Sequence, residues 1–96
     1  MNLTIKSDDN VVTCYLSKRL DTNVSFGLEP EIDQATEQNK NLVFDFSEVD
    51  YISSTFLRIC LKKRKELGNE HFWIINPKPD IKRVFKIAGL VLLIRE

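Results

Sequence analysis

The sequence carries no excess of charge. Fourteen Lys and Arg balance fourteen Asp and Glu, with a single His, so the formal net charge at pH 7 is zero. No overall electrostatic attraction to nucleic acid or to an anionic membrane follows from such a balance. No apolar run is long enough to span a bilayer, and the N-terminus lacks the cationic stretch, apolar run and cleavage site of a secretory leader. A cytoplasmic protein without membrane insertion is therefore expected. Cysteine is scarce too: Cys14 and Cys60 lie on apolar segments without CxxC spacing and read as small core residues, not as a disulfide or metal pair. The lone histidine, His71, adjoins an apolar stretch and has no His or Cys companion at ligand spacing, so neither a metal nor a histidine-based catalytic site is expected. Glycine occurs only at Gly27, Gly68 and Gly89. That scatter cannot make a phosphate-cradling loop, so the chain is not expected to bind and hydrolyse ATP itself or to need a cofactor. No Gly-x-Ser-x-Gly elbow marks a hydrolase nucleophile. Asp45 lacks the preceding acidic pair of a phosphoreceiver and reads as a turn acceptor for the region of Ser47.

What is present is the patterning of one small domain, residues 1–96, with enough chain for a single core. Leu3-Thr4-Ile5 and Val11 to Leu16 flank the turn cluster Ser7 to Asn10 and predict an antiparallel N-terminal hairpin. Arg19-Leu20-Asp21-Thr22 follows, with Asp21 as a turn or capping residue. Leu28, Ile32 and Ala35 share one face of a helix over Glu29 to Lys40. Because Pro30 suits a first turn, that helix should begin near Leu28 or Glu29, with Val24 to Gly27 an irregular lead-in. After Gly68, His71 to Ile75 predicts a buried strand, closed by the breaker Asn76 to Pro79. Pro79 then opens a helix whose Ile81, Val84, Phe85 and Ala88 form an apolar stripe before Gly89, and Leu90 to Ile94 predicts a last strand. Alternating strands and helices favour right-handed crossovers. The expected class is α/β, a mixed and mostly parallel sheet of about five strands with the hairpin at its start and helices packed on it.

The most informative stretch is Asn41 to Leu67. Leu42 to Phe46 reads as a buried strand, Ser47 to Ile52 as a polar turn, and Ser53-Ser54-Thr55 as a helix start, since hydroxyl side chains accept from the free N–H groups of a first turn. The helix runs to Leu67, where Gly68 stops it. Three hydroxyls at the positive end of a helix suit a phosphate, either bound or covalently attached. Leu57, Cys60, Leu61 and Leu67 are expected to face the sheet, with Arg58, Lys62 and Lys65 opposite and Phe56, Ile59 and Lys63 on the flank between. Phe56 reads either as a cover for the core edge or as part of a protein-binding surface, and Ile59 as exposed. The basic run Lys62 to Lys65 is a solvated face that also complements the helix C-terminus.

The strand with Asp45-Phe46-Ser47, the stretch YISSTFLRI and the later IINPKPDIKRVFKIAGL resemble the STAS domain of bacterial anti-sigma factor antagonists, from about Val11 to Ile94. The family signature at this helix start is Asp-Ser-Ser/Thr-Gly-Leu. Ser53 takes the place of its aspartate, Ser54 that of the phosphorylated serine, Thr55 the second hydroxyl, Phe56 the glycine and Leu57 the leucine. Glycine there would let a kinase approach the backbone closely, and a benzyl group would crowd that path. The resemblance implies STAS architecture with one further helix after the last strand. It also implies a partner that is both serine kinase and anti-sigma factor, bound by the unmodified chain and released when Ser54 is phosphorylated, with Ser53 and Thr55 as weaker candidates. The partner face it implies comprises Asp21, Thr22, Ser53, Ser54 and Thr55, with Phe56, Ile59 and Lys63 beside them. On this reading the protein is a regulatory binding module and not an enzyme. The alternatives are an unmodified STAS adaptor, for example of a transporter ATPase, which Phe56 would suit, and a small ligand-binding or catalytic domain on the same sheet.

Overall fold

The computed structural model describes residues 2–37 and 40–95. Four strands pair in the order β1 (Leu3–Asp8), β2 (Val11–Leu20), β3 (Asn41–Ile52), β4 (Phe72–Ile75). β1 and β2 form the antiparallel hairpin, while β2 with β3 and β3 with β4 are parallel. The helices are α1 (Thr22–Glu37), α2 (Ser54–His71) and α3 (Pro79–Ile87). Each lies in a crossover or follows a strand, as the alternation requires. The expected fifth strand is reduced to one parallel bridge from Ile94 to Ile74, reinforced by Arg95 N–H donating to the Ile74 carbonyl at 2.8 Å. Val91–Leu93 coil into a 3₁₀ turn instead, because both Leu90 and Leu93 must reach the core, and three residues cannot do that in an alternating strand.

One face of the sheet is covered. Val12, Cys14 and Leu16 of β2 alternate inward, and the central strand β3 is buried from Leu42 to Phe46. Five phenylalanines interlock there. The ring of Phe56 lies 5.6 Å from Phe44 and 6.0 Å from Phe46, Phe72 meets Phe44 edge-on at 5.0 Å, and Phe85 of α3 sits 5.7 Å from Phe46. Aromatic pairs at these separations add to what area burial alone contributes. On the opposite face, Val43 and Trp73 pair across the ladder and the Arg95 guanidinium stacks 3.8 Å above the indole.

Three further expectations are corrected. First, α1 starts at Thr22, not near Leu28: Asp21 accepts from the Val24 N–H at 2.9 Å and its carbonyl from the Ser25 N–H at 2.9 Å, so Asp21 is the cap. Pro30 lies within the helix and is exposed, as is Phe26 whose carbonyl loses its donor, so the unpaired group is on the solvent side. The end expected at Lys40 crosses Gln38 and Asn39, which lie outside the described residues. Second, Ser47 to Ile52 continues β3 as strand. β3 carries extra residues against β2 between the pairs Tyr15↔Asp45 and Ser17↔Glu48, and again between Lys18↔Val49 and Arg19↔Tyr51. Such bulges turn the inward residues from every second to every third position, so Phe46, Val49 and Ile52 are buried in turn. Asp45 holds the first bulge, accepting from the Ser47 N–H at 2.9 Å and from the Asn76 amide at 3.3 Å.

Third, α2 is rotated by about a quarter turn from its expected phase. Phe56, Ile59, Cys60 and Lys63 face inward, while Leu61 is 43% exposed. Gly68, its expected stop, breaks the helical path at φ 74°, a left-handed value natural to glycine, but a further turn carries α2 on to His71, so β4 begins at Phe72 and not at His71. α3 ends as expected, with Gly89 at φ 76°, the Leu90 N–H donating to the Phe85 carbonyl at 2.8 Å and the Gly89 N–H to that of Lys86 at 3.2 Å, a Schellman closure. Cys14 and Cys60 are free and buried. His71 is structural, its Nδ1 bonding the Asn41 Oδ1 at 2.8 Å.

Two measurements check this packing. Phe56→Ala should cost about 3–5 kcal/mol in urea unfolding, the range for removing a buried aromatic, whereas Leu61→Ala should stay within about 1 kcal/mol. Burial pushes the Cys14 thiol up to about 12 from the ordinary 9.0, against a smaller opposing pull from Lys63, and pushes Cys60 up as well. These raised values contribute stability that is complete below the unfolded thiol value and is lost as pH rises toward the folded ones, by about 1.4 kcal/mol per pH unit for each thiol. Stability measured from pH 9 to 10.5 should accordingly fall more steeply for the wild type than for a Cys14→Ala, Cys60→Ala variant.

Candidate functional site

The parallel register places Leu20 beside Ile52, so β2 and β3 end together and release α1 and α2 at one edge of the sheet. The Leu20 carbonyl ties the two starts, accepting from the Ser53 N–H at 2.9 Å and from the Ser25 hydroxyl at 3.4 Å. Ser53 is the cap of α2: in extended backbone, φ −87° and ψ 165°, its hydroxyl accepts from the Phe56 N–H at 3.2 Å. Beneath it, the Ser25 and Ser53 hydroxyls face each other at 3.4 Å. Ser25 was not legible as a site residue, since its inward position shows only once α1 is known to begin at Thr22.

The three consecutive hydroxyls therefore have separate surroundings. Ser53 and Thr55 are buried, 5% and 8% exposed, while Ser54 at the first helical position is exposed. Thr55 Oγ1 reaches Thr22 Oγ1 across the two helices at 3.5 Å. The first-turn N–H groups of α2 at Ser54 and Thr55 have no helical carbonyl to bond and, with the helix dipole, make the Ser54 surroundings favourable to negative charge. Asp21, Thr22, Ser53, Ser54 and Thr55 are thus brought together as expected.

Phe56, Ile59 and Lys63 are not. Phe56 is fully buried and Ile59 is 2% exposed, so neither offers a surface to a partner. Lys63 is 2% exposed and held by Asp33 of α1 at 2.6 Å and by Glu66 at 3.0 Å. An amine taken out of water needs such partners. Lys62 joins the same cluster from outside, bonding Glu29 and Asp33, each at 3.1 Å. Burial opposes the charge on Asp33, but hydrogen bonds from Lys63 and Lys62 outweigh it and hold the carboxyl below its ordinary range; the hydrogen bonds that Lys62 donates to Glu29 and Asp33 raise Lys62 in turn. The cluster fastens α1 along α2 and keeps the two N-termini level. Among the described residues no group of three or more His, Cys, Asp or Glu side chains is placed to hold a metal, and no helix is long and apolar enough to cross a membrane.

Against known proteins, the STAS domain family model matches residues 2–95. The chain belongs to the STAS domain family. A relative of this STAS domain in Bordetella bronchiseptica, BtrV, provisionally named an anti-sigma factor antagonist, is 29% identical over 94 residues, spanning 95% of this chain and 81% of its own. An anti-sigma factor antagonist from Mycobacterium paratuberculosis superposes with a TM-score of 0.81 at 26% identity, over 92% of this chain and 77% of that one. SpoIIAA of Bacillus, an anti-sigma factor antagonist in its unphosphorylated form, superposes with a TM-score of 0.82 at 19% identity, over 97% and 85%. The α/β class, the N-terminal hairpin and the mostly parallel sheet are those of this fold.

Of the two STAS serines at the helix start, only Ser53 has a structural task. Ser53→Ala should lower unfolding free energy by about 1 kcal/mol or more, the loss of a cap, and Ser54→Ala should stay within about 0.5 kcal/mol in the same urea titration.

Proposed function

We propose that this STAS domain is a non-enzymatic switch, an anti-sigma factor antagonist whose unmodified form captures an anti-sigma factor that is also a serine kinase, and whose phosphorylation on Ser54 ends the capture. The observation that carries the reading is the separate placement of the three hydroxyls: Ser54 alone is exposed, and its neighbours cap and cross-bond the helix starts. The names of BtrV and of the structural relatives support the antagonist role.

The physics of the switch requires little movement. A phosphoserine brings about −1.5 to −2 charges at neutral pH. Its own helix terminus accommodates them, whereas a partner surface fitted to a neutral hydroxyl does not. A loss of ~3 kcal/mol at such an interface weakens binding more than a hundredfold. Phe56, the departure that favoured a never-modified transporter adaptor, has its ring in the core, so it does not stand in a kinase's path to Ser54. That removes the feature on which the adaptor reading rested.

Calorimetric titration of the purified anti-sigma kinase with four forms of the chain tests the proposal. Wild type and Ser54→Ala should bind alike in the absence of ATP, and Ser54→Asp should bind at least tenfold more weakly. Wild-type affinity in both Ser54→Asp and the chemically phosphorylated chain would remove the switch.

A further inference from the structure

The phase of α2 that hides Phe56 exposes a second feature. Ser54, Arg58, Leu61 and Lys65 succeed one another at intervals of four, three and four residues and so form one stripe directly away from the core. Arg58, Leu61 and Lys65 are exposed and, with Lys62, Arg64 and Glu66, line a shallow groove. Lys62 is already neutralised by Glu29 and Asp33. Among the described residues no ion pair engages Arg58, Arg64 or Lys65. In a chain of zero net charge, these cations gather around a solvent-exposed leucine, in line with the proposed switch residue.

We infer that this stripe is a docking face for an acidic protein surface with an apolar centre, and that the surface belongs to the anti-sigma partner. The inference rests on the proposed function and specifies which face of the switch helix is gripped. Charge complementarity selects the occupant: carboxylates fit Arg58 and Lys65, and an apolar side chain fits Leu61 between them. A nucleic acid would leave Leu61 uncompensated and would meet Glu66 in the same groove. The sign of the switch follows. Phosphate on Ser54 stands at the head of the stripe, where it repels the partner's carboxylates. It also lies four residues before Arg58, the spacing at which it can pair with the guanidinium and withdraw it from the interface.

The test uses the anti-sigma kinase purified for the preceding titrations, without ATP. Arg58→Glu with Lys65→Glu should weaken binding at least tenfold and flatten its dependence on salt, while Arg58→Lys retains most of the affinity. Circular dichroism melting of the double variant should match the wild type, because no ion pair is lost. Leu61→Asp should weaken binding by a similar factor. Wild-type affinity in a folded double variant overturns the docking face and leaves the proposed function intact. Failure of the wild type itself to bind the kinase overturns both. Binding of a labelled DNA duplex or RNA oligonucleotide that the double variant abolishes also overturns the inference, by giving the stripe to nucleic acid.

Discussion

The ring of Phe56, set between Phe44 and Phe46, is the contact on which the arrangement of the site depends. A helix packed through one residue of its first turn has its rotation fixed there. Successive residues of a helix turn by about 100°, so anchoring Phe56 inward puts Ser54, two residues earlier, on the outward side. Ile59, Cys60 and Lys63 extend the inward stripe. The residue that breaks the STAS signature is thus a core residue here, and its size fills space against two strand phenylalanines where glycine offers no side chain.

Topology supplies the rest of the site. Parallel pairing of β2 and β3 ends both strands at the same edge, and the helices that follow both start from there. Two helix starts and their hydroxyls consequently share one small region, tied through the Leu20 carbonyl and the contact of Ser25 with Ser53. Lower down, Asp33 and Lys63 bind α1 to α2, so the level of the two starts is set by a partly buried ion cluster as well as by packing. Breaking one partner of such a cluster costs more than the pair contributes, because the remaining charge is left in a dry site.

Much of this was legible in the residues. The hairpin, the order of strands and helices as far as α3, the break at Gly68, the stop at Gly89, the opening of α3 at Pro79 and the capping role of Asp21 all follow from local rules that the structure keeps. The failures share a physical cause: a local pattern overridden by a nonlocal contact. Pro30 argued for a late start to α1, yet its missing donor falls on the solvent side and is cheap to lose. The bulges in β3 broke the two-residue alternation that identifies a strand. Lys63 disguised the inward stripe of α2, since a lysine reads as solvent-facing until Asp33, on another helix, is known to meet it. The five apolar residues from Leu90 to Ile94 are compatible with either strand or coil, and only the need to bury both Leu90 and Leu93 decides.

On the proposed function, accessibility and not sequence position makes Ser54 the switch residue. Site-resolved phosphopeptide mass spectrometry of the protein isolated from its native cells, taken across growth conditions, reads this directly. Phosphate should be found on Ser54 and on neither Ser53 nor Thr55. Phosphate on Ser53 or Thr55 with Ser54 unmodified would contradict the account, because it would require a kinase to reach a hydroxyl the folded protein buries.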